Sequence, residues 1–155
     1  MAAPTPSPLQ GFPLVSNLQS LAPGAAKCLG VLGLSLTQYF DCNVAPMQIK
    51  IPNAAFGTIE RGIIFSEDNI NWTAGISPTS TADQSGLAPF ARLIDPTNIS
   101  AVSAATYLLD EFDVVPLFGA SMPTFWSVLV WNRTNQAFSA VLSDFFASYT
   151  LLSYA

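Results

Sequence analysis

Histidine is missing from this chain of 155 residues, and charge is scarce: five Lys or Arg and ten Asp or Glu make up 10% of the sequence. An ordinary soluble domain carries about 25% charged residues. Without histidine, neither a Ser-His-Asp nor a Cys-His nucleophile arrangement can be assembled, and two cysteines alone make no usual structural zinc site. The cations, Lys27, Lys50, Arg61, Arg92 and Arg133, are scattered along the chain. Neutralising phosphates or binding an anionic membrane surface needs them grouped. No glycine-rich loop leads into a basic residue, as a phosphate cradle would require. Ten acidic residues leave a glycosidase-type carboxylate pair open in composition, but no signature selects one. The expectation is a protein that is not an enzyme, with no catalytic or metal residues, no cofactor, and no nucleic-acid or membrane partner.

Long uninterrupted apolar runs are also lacking. The uncharged stretch "VVPLFGASMPTFWSVLVWN" is broken by Pro116, Gly119 and Pro123 and ends in aromatic and β-branched residues. It reads as a loop followed by a buried strand rather than a membrane span. The first 26 residues have no basic leader, and the apolar run "CLGVLGLSL" begins late, so no secretory signal is expected. Cys28 and Cys42 are fourteen positions apart. A cross-hairpin disulfide is open, and free buried thiols are the reading adopted.

What is present begins with "MAAPTPSPLQGFPLV". Pro4, Pro6, Pro8 and Pro13 make residues 1–26 an extended arm closed by Pro23-Gly24. Leu9, Phe12, Leu14, Val15, Leu18 and Leu21 punctuate it. A plain linker has no need of such side chains, whereas a strap laid on a neighbour does, so these six are the candidate partner-binding residues.

Residues 27–155 read as one β-rich domain. "KCLGVLGLSLTQYF" alternates like a strand with glycine bends, and "MQIKI" lies between Pro46 and Pro52, as suits an edge strand. "GTIERGIIFS" and "INWTAG" read as a hairpin about "EDN", and "TFWSVLVWN" and "QAFSAVLS" as a second about "RTN". "DPTNISAVSAATYLLDEFD" offers Thr97 or Asn98 as an N-cap and is assigned one short helix or helical turn. The tail "FSAVLSDFFASYTLLSYA" is read as strand. The fold class is therefore mainly β: an antiparallel sandwich or barrel of short strands, with at most one or two short helices.

Other features have cheaper explanations. Asp110, Glu111 and Asp113 cluster oxygen ligands but lack the glycine-containing loop of a calcium site, and are read as an exposed element end. Residues 76–89 form a long loop of turn formers and a second candidate contact surface. Trp126 and Trp131 are an odd number apart, so one straight strand sends them to opposite faces, and packing is preferred to a sugar platform for both. Asn71, Asn98 and Asn132 open Asn-X-Ser/Thr triplets, which an Asn- and Thr-rich chain produces by chance.

With its apolar proline-rich arm, short strands, hydroxyl-rich loops, little charge and no catalytic set, the chain resembles virion structural proteins. It is most similar in character to the small capsid decoration (cement) proteins of tailed bacteriophages. The likeness is one of composition and architecture, carried by no residue motif. It implies a homo-oligomer, with a trimer among the options, located in a virion assembled in the host cytoplasm. Its partners would be the major capsid protein or copies of itself, in a decoration or minor capsid role. The alternative is a receptor- or glycan-binding module of a phage tail fibre or spike, using Trp72 and the 76–89 loop.

Overall fold

The computed structural model describes residues 4–33, 41–94, 96–118 and 123–154. Thirteen strands are present among them: β1 (Pro4–Pro6), β2 (Gln10–Gly11), β3 (Ala26–Cys28), β4 (Leu32–Gly33), β5 (Asp41–Val44), β6 (Met47–Ile51), β7 (Ala55–Ser66), β8 (Arg92–Leu93), β9 (Thr97–Ala101), β10 (Ala105–Leu109), β11 (Phe112–Asp113), β12 (Phe125–Thr134) and β13 (Ser148–Tyr154). All pairings between them are antiparallel. One sheet runs β3-β12-β7-β8, with β4 also on β12 and β9 also on β7. The other runs β1-β13-β5-β11, with β2 also on β13. The β10-β6 pair extends this second sheet. Leu109 faces Met47 and Phe112 faces Val44 in one continuous register, and Gln48 bridges to Phe146 just before β13. The result is a mainly β, sandwich-like arrangement and not a closed barrel. One four-residue helix, α1 (Val115–Phe118), is present, and no helix among the described residues is long and apolar enough to cross a membrane.

The long strands β7 and β12 pair without interruption from Phe125 opposite Ser66 to Thr134 opposite Gly57. Their alternation supplies two cores. Trp126, Val128 and Val130 of β12, with Ile59 and Ile63 of β7, enter the main core beside Val44, Met47, Ile49, Leu109 and Tyr149 of the second sheet. Leu129 and Ile64 point the other way, into a smaller cluster closed by Ile76, Ala88 and Ala91. Gly62 permits this closure, since a Cβ there would lie 2.8 Å from the Ala91 Cβ. The 76–89 loop is thus folded onto its own sheet. Asp83 Oδ1 accepts from the Ala26 N–H at 2.9 Å, the Gln84 N–H donates to the Ala26 carbonyl at 2.9 Å, and the Gln84 side chain is buried.

The amino-terminal segment corrects the reading of a strap reaching a neighbour. Phe12, Leu18 and Leu21 are buried in the chain's own main core, Leu14 and Val15 are half-buried, and of the six only Leu9 stays open, at 53% exposure. Phe12 makes edge contacts with Trp126 (centroids 6.1 Å apart) and Tyr149 (5.3 Å), one from each sheet. Backbone bonds from Ser7 to Leu151, Phe12 to Ala147 and Leu14 to Leu29 hold the segment along its length. The prolines of β1 sit on a sheet edge, where a missing N–H costs little.

Three local assignments change. Residues 97–109 form the strands β9 and β10 rather than a helix, because each finds a long-range partner, in β7 and β6 respectively. Neither expected hairpin returns as a strand. After β7, the Asp68 carboxylate accepts from the Ile70 and Asn71 N–H groups at 2.8 Å and curls the chain into a turn and a short 3-10 stretch, Thr73–Gly75. After β12, Asn132 turns the chain. Its side-chain amide donates to the Leu21 and Gln136 carbonyls, both at 2.8 Å, and its oxygen accepts from the Thr134 N–H and hydroxyl. The tail is strand only from Ser148, after a 3-10 turn over Leu142–Asp144. The end of the expected first strand, residues 34–40, lies outside the described residues, as do Asp95 and Gly119.

Removing residues 1–22 deletes three core side chains, each worth about 1.5–3 kcal/mol, out of the 5–15 kcal/mol typical of a whole domain. The truncated chain is expected to lose its cooperative thermal transition, which circular dichroism will read. Asn132→Asp sets a carboxylate oxygen against two carbonyls and should cost about 3 kcal/mol or more, seen as a lower urea midpoint. Cys28 and Cys42 are both free and buried. Burial pushes the Cys28 thiol up to about 12 and the Cys42 thiol upward as well. Both should resist a thiol reagent at mildly alkaline pH and react once the chain is unfolded in guanidinium.

Candidate interaction surfaces

The second sheet ends in an open edge. Gln48 exchanges both backbone bonds with Phe146, and the Lys50 carbonyl accepts from Ser139, so these two residues of β6 face away from β10. Alternation then directs Met47, Ile49 and Ile51 toward β10, where their partners are Leu109, Tyr107 and Ala105. It follows that the N–H and C=O groups of Thr106 and Leu108 point outward from the sheet. Among the described residues, β10 pairs with β6 alone.

The outer face beside this edge carries exposed apolar side chains among the polar Thr106, Gln48 and Lys50. Leu108 is 65% exposed and lies in register with Gln48, which in turn faces Phe146, itself 49% exposed. Val141 and Leu142 are exposed at the adjoining turn. That turn is pinned over β6, where Lys50 pairs with Asp144 at 3.3 Å and the Ser139 hydroxyl donates to the same carboxylate at 2.5 Å. These bonds to Ser139 and Lys50 hold the Asp144 carboxyl below its ordinary range despite partial burial. The lysine is therefore engaged, leaving the leucine and phenylalanine uncovered. Sequence reading missed this patch. Its one available signal was the pair Leu108-Leu109, since adjacent residues of a strand cannot both face one core.

A second feature is a cleft of about 360 Å³ lined by Val31, Ile70, Trp72, Ile76 and Thr79, among others. Backbone bonds from Asn71 and Ile70, then the side chains of Asn71 and Ser66, hold the Asp68 carboxyl far below the usual carboxylate range. The turn beside the cleft is thus locked as an anion-centred knot. The three tryptophans do not form a platform. Trp126 is in the main core, while Trp131 donates to the Gly24 carbonyl at 2.9 Å under the Arg133 guanidinium. Only Trp72 reaches the cleft. Asp110, Glu111 and Asp113 are exposed, and Asp113 accepts from the Asn43 side chain at 3.0 Å. Among the described residues, no three His, Cys, Asp or Glu side chains gather in a metal-binding group.

No protein-family model matches the chain, and no curated protein matches it in sequence. Among solved structures, a chain from the full particle of Israeli acute paralysis virus, heated to 63 degrees, aligns over 99% of this chain and 71% of its own length. The identity is 10% and the TM-score 0.36. At that score the likeness does not establish a shared fold, and the functional reading rests on the chain's own residues.

Proposed function

We propose that this chain is a non-enzymatic structural component of a virus particle, a capsid decoration or minor capsid protein covered in place by neighbouring protein. The observation that carries the reading is the surface. Phe56, Ile70, Phe90, Val102, Leu108 and Phe146 are among the large apolar side chains left exposed, on a chain with only five cations. Large exposed apolar area on a weakly charged surface favours association, because water is released when it is covered. Each contact is modest, but symmetry repeats it, and avidity then exceeds what one subunit supplies. The acidic balance suits a shell surface away from the packaged genome. Leu9 is the part of the amino-terminal segment still free to join such contacts, with Leu14 and Val15 at its half-buried margin.

Gradient-purified particles from the source of this sequence test the reading. Trypsin has only five cleavage residues here, so chymotryptic peptides are the better mass-spectrometric probe. The chain is expected at a copy number comparable with that of a shell protein and resistant to high-salt washing, since apolar contacts are not screened by salt. Its absence from purified particles overturns the proposal. So does selective glycan binding at the Trp72 cleft, abolished by Trp72→Ala, which makes the chain a receptor-binding module instead.

A further inference from the structure

We infer that two copies of this chain join through their β10 edges into one continuous antiparallel sheet. The inference deepens the structural reading above and names the first partner as a second copy. Its basis is that the edge is complementary to itself. Thr106 and Leu108 present outward N–H and C=O groups two residues apart. A two-fold axis at Tyr107 sets Thr106 of one copy opposite Leu108 of the other. In an antiparallel ladder such a pair exchanges both of its backbone bonds, so the two pairs form four hydrogen bonds. None of these groups is taken from an existing bond within the sheet, because Ala105, Tyr107 and Leu109 are the positions that bond β6.

Charge and side chains agree with that register. Asp110 and Glu111 fall opposite the partner's Ala104 and Ser103, so no carboxylates meet across the axis. Leu108 packs over the partner's Thr106 on the outer face, in a row that runs Phe146, Gln48 and Leu108 and then the partner's Thr106 and the partner's Lys50. Other edges among the described residues are blunted in ways β10 is not. Pro4 and Pro6 occupy β1, the 76–89 loop bonds along β3, and β8 is two residues long and carries Arg92. β9 follows Pro96 and exposes Asn98 and Ser100. β10 has neither proline nor charge within its five residues and exposes a leucine.

Sedimentation velocity of the full chain should show a concentration-dependent dimer. Leu108→Lys places a cation on the outer face of each strand, and its dimer should dissociate about a hundredfold more readily, with an unchanged thermal transition at a dilution where both chains are single copies, because Leu108 is exposed. The register is tested by mixing. A Thr106→Cys chain and a Leu108→Cys chain, oxidised together, should form a heterodisulfide, while either alone forms far less, because identical positions lie beyond disulfide reach. A wild-type dimer that Leu108→Lys leaves intact, or a mixture that does not cross-link selectively, overturns the β10 interface while leaving the virion reading standing. A chain that stays a single copy at every concentration overturns the pairing itself, and virion copy number then decides the broader reading separately.

Discussion

Phe12 wedged between Trp126 and Tyr149 is the contact on which the rest of the architecture depends. The two larger rings belong to different sheets and also meet each other, with centroids 6.3 Å apart. The phenylalanine comes from a segment with little structure of its own. Edge-on aromatic pairs add about 0.5–1.5 kcal/mol each beyond the area they bury. The prolines before Phe12 narrow the unfolded ensemble, so less entropy is lost when the segment docks. Once Phe12 is seated, β2 lies on β13, Asn17 reaches the Cys28 carbonyl at 2.8 Å, and Leu21 arrives where Asn132 can bond it. The segment is therefore a closing element of the sandwich that contains it.

Asn132 shows how that closure is relayed. Its side chain fills all of its donor and acceptor capacity inside the core, joining Leu21, Thr134 and Gln136. Its backbone N–H also donates to the Ala25 carbonyl at 2.9 Å. A fully satisfied buried amide stabilises one arrangement and penalises every other, since each alternative strands a buried polar group. This is why β12 ends in a turn rather than a hairpin, and why Phe138 is carried back beneath Leu21.

The parts legible in the sequence were those decided by short-range pattern. The alternation of β7 and β12 was plain, and the odd spacing of Trp126 and Trp131 gave their opposite faces. "MQIKI" between prolines was recognisable as a strand, but it is not the edge strand its flanks suggested: β6 bonds β10 on one side and Phe146 and Ser139 on the other. What failed was anything decided by a distant partner. Thr97 and Asn98 are good helix caps, but capping residues are also turn residues, and only β7 makes residues 97–101 a strand. "EDN" and "RTN" were recognisable as turns, while the direction taken afterward depends on Asp68 and Asn132. The six apolar residues of the amino-terminal segment were read as anchors, and of them Phe12, Leu18 and Leu21 are buried. Sequence alone does not state on whose surface an anchor lands, and for Phe12, Leu18 and Leu21 it is the chain's own.

Scarcity of cations has a consequence at the sheet edges. Natural β-proteins commonly guard an open edge with lysine. Here Lys50 is paired with Asp144, Arg133 with Glu60 at 2.7 Å, and Arg61 is buried against Phe112 with its guanidinium donating to the Asp110 carbonyl. Desolvation there lowers the Arg61 pKa to about 10, which still leaves it charged at neutral pH. Lys27 and Arg92 are what remain, and neither lies on β10. Protection falls instead to prolines at β1 and to the folded loop at β3, which are local devices and do not extend to the far side of the second sheet. An edge left without charge or proline, and without cover among the described residues, is tolerated where something regularly occupies it. An identical edge meets that condition with no second gene product, and its backbone groups are already spaced to do so.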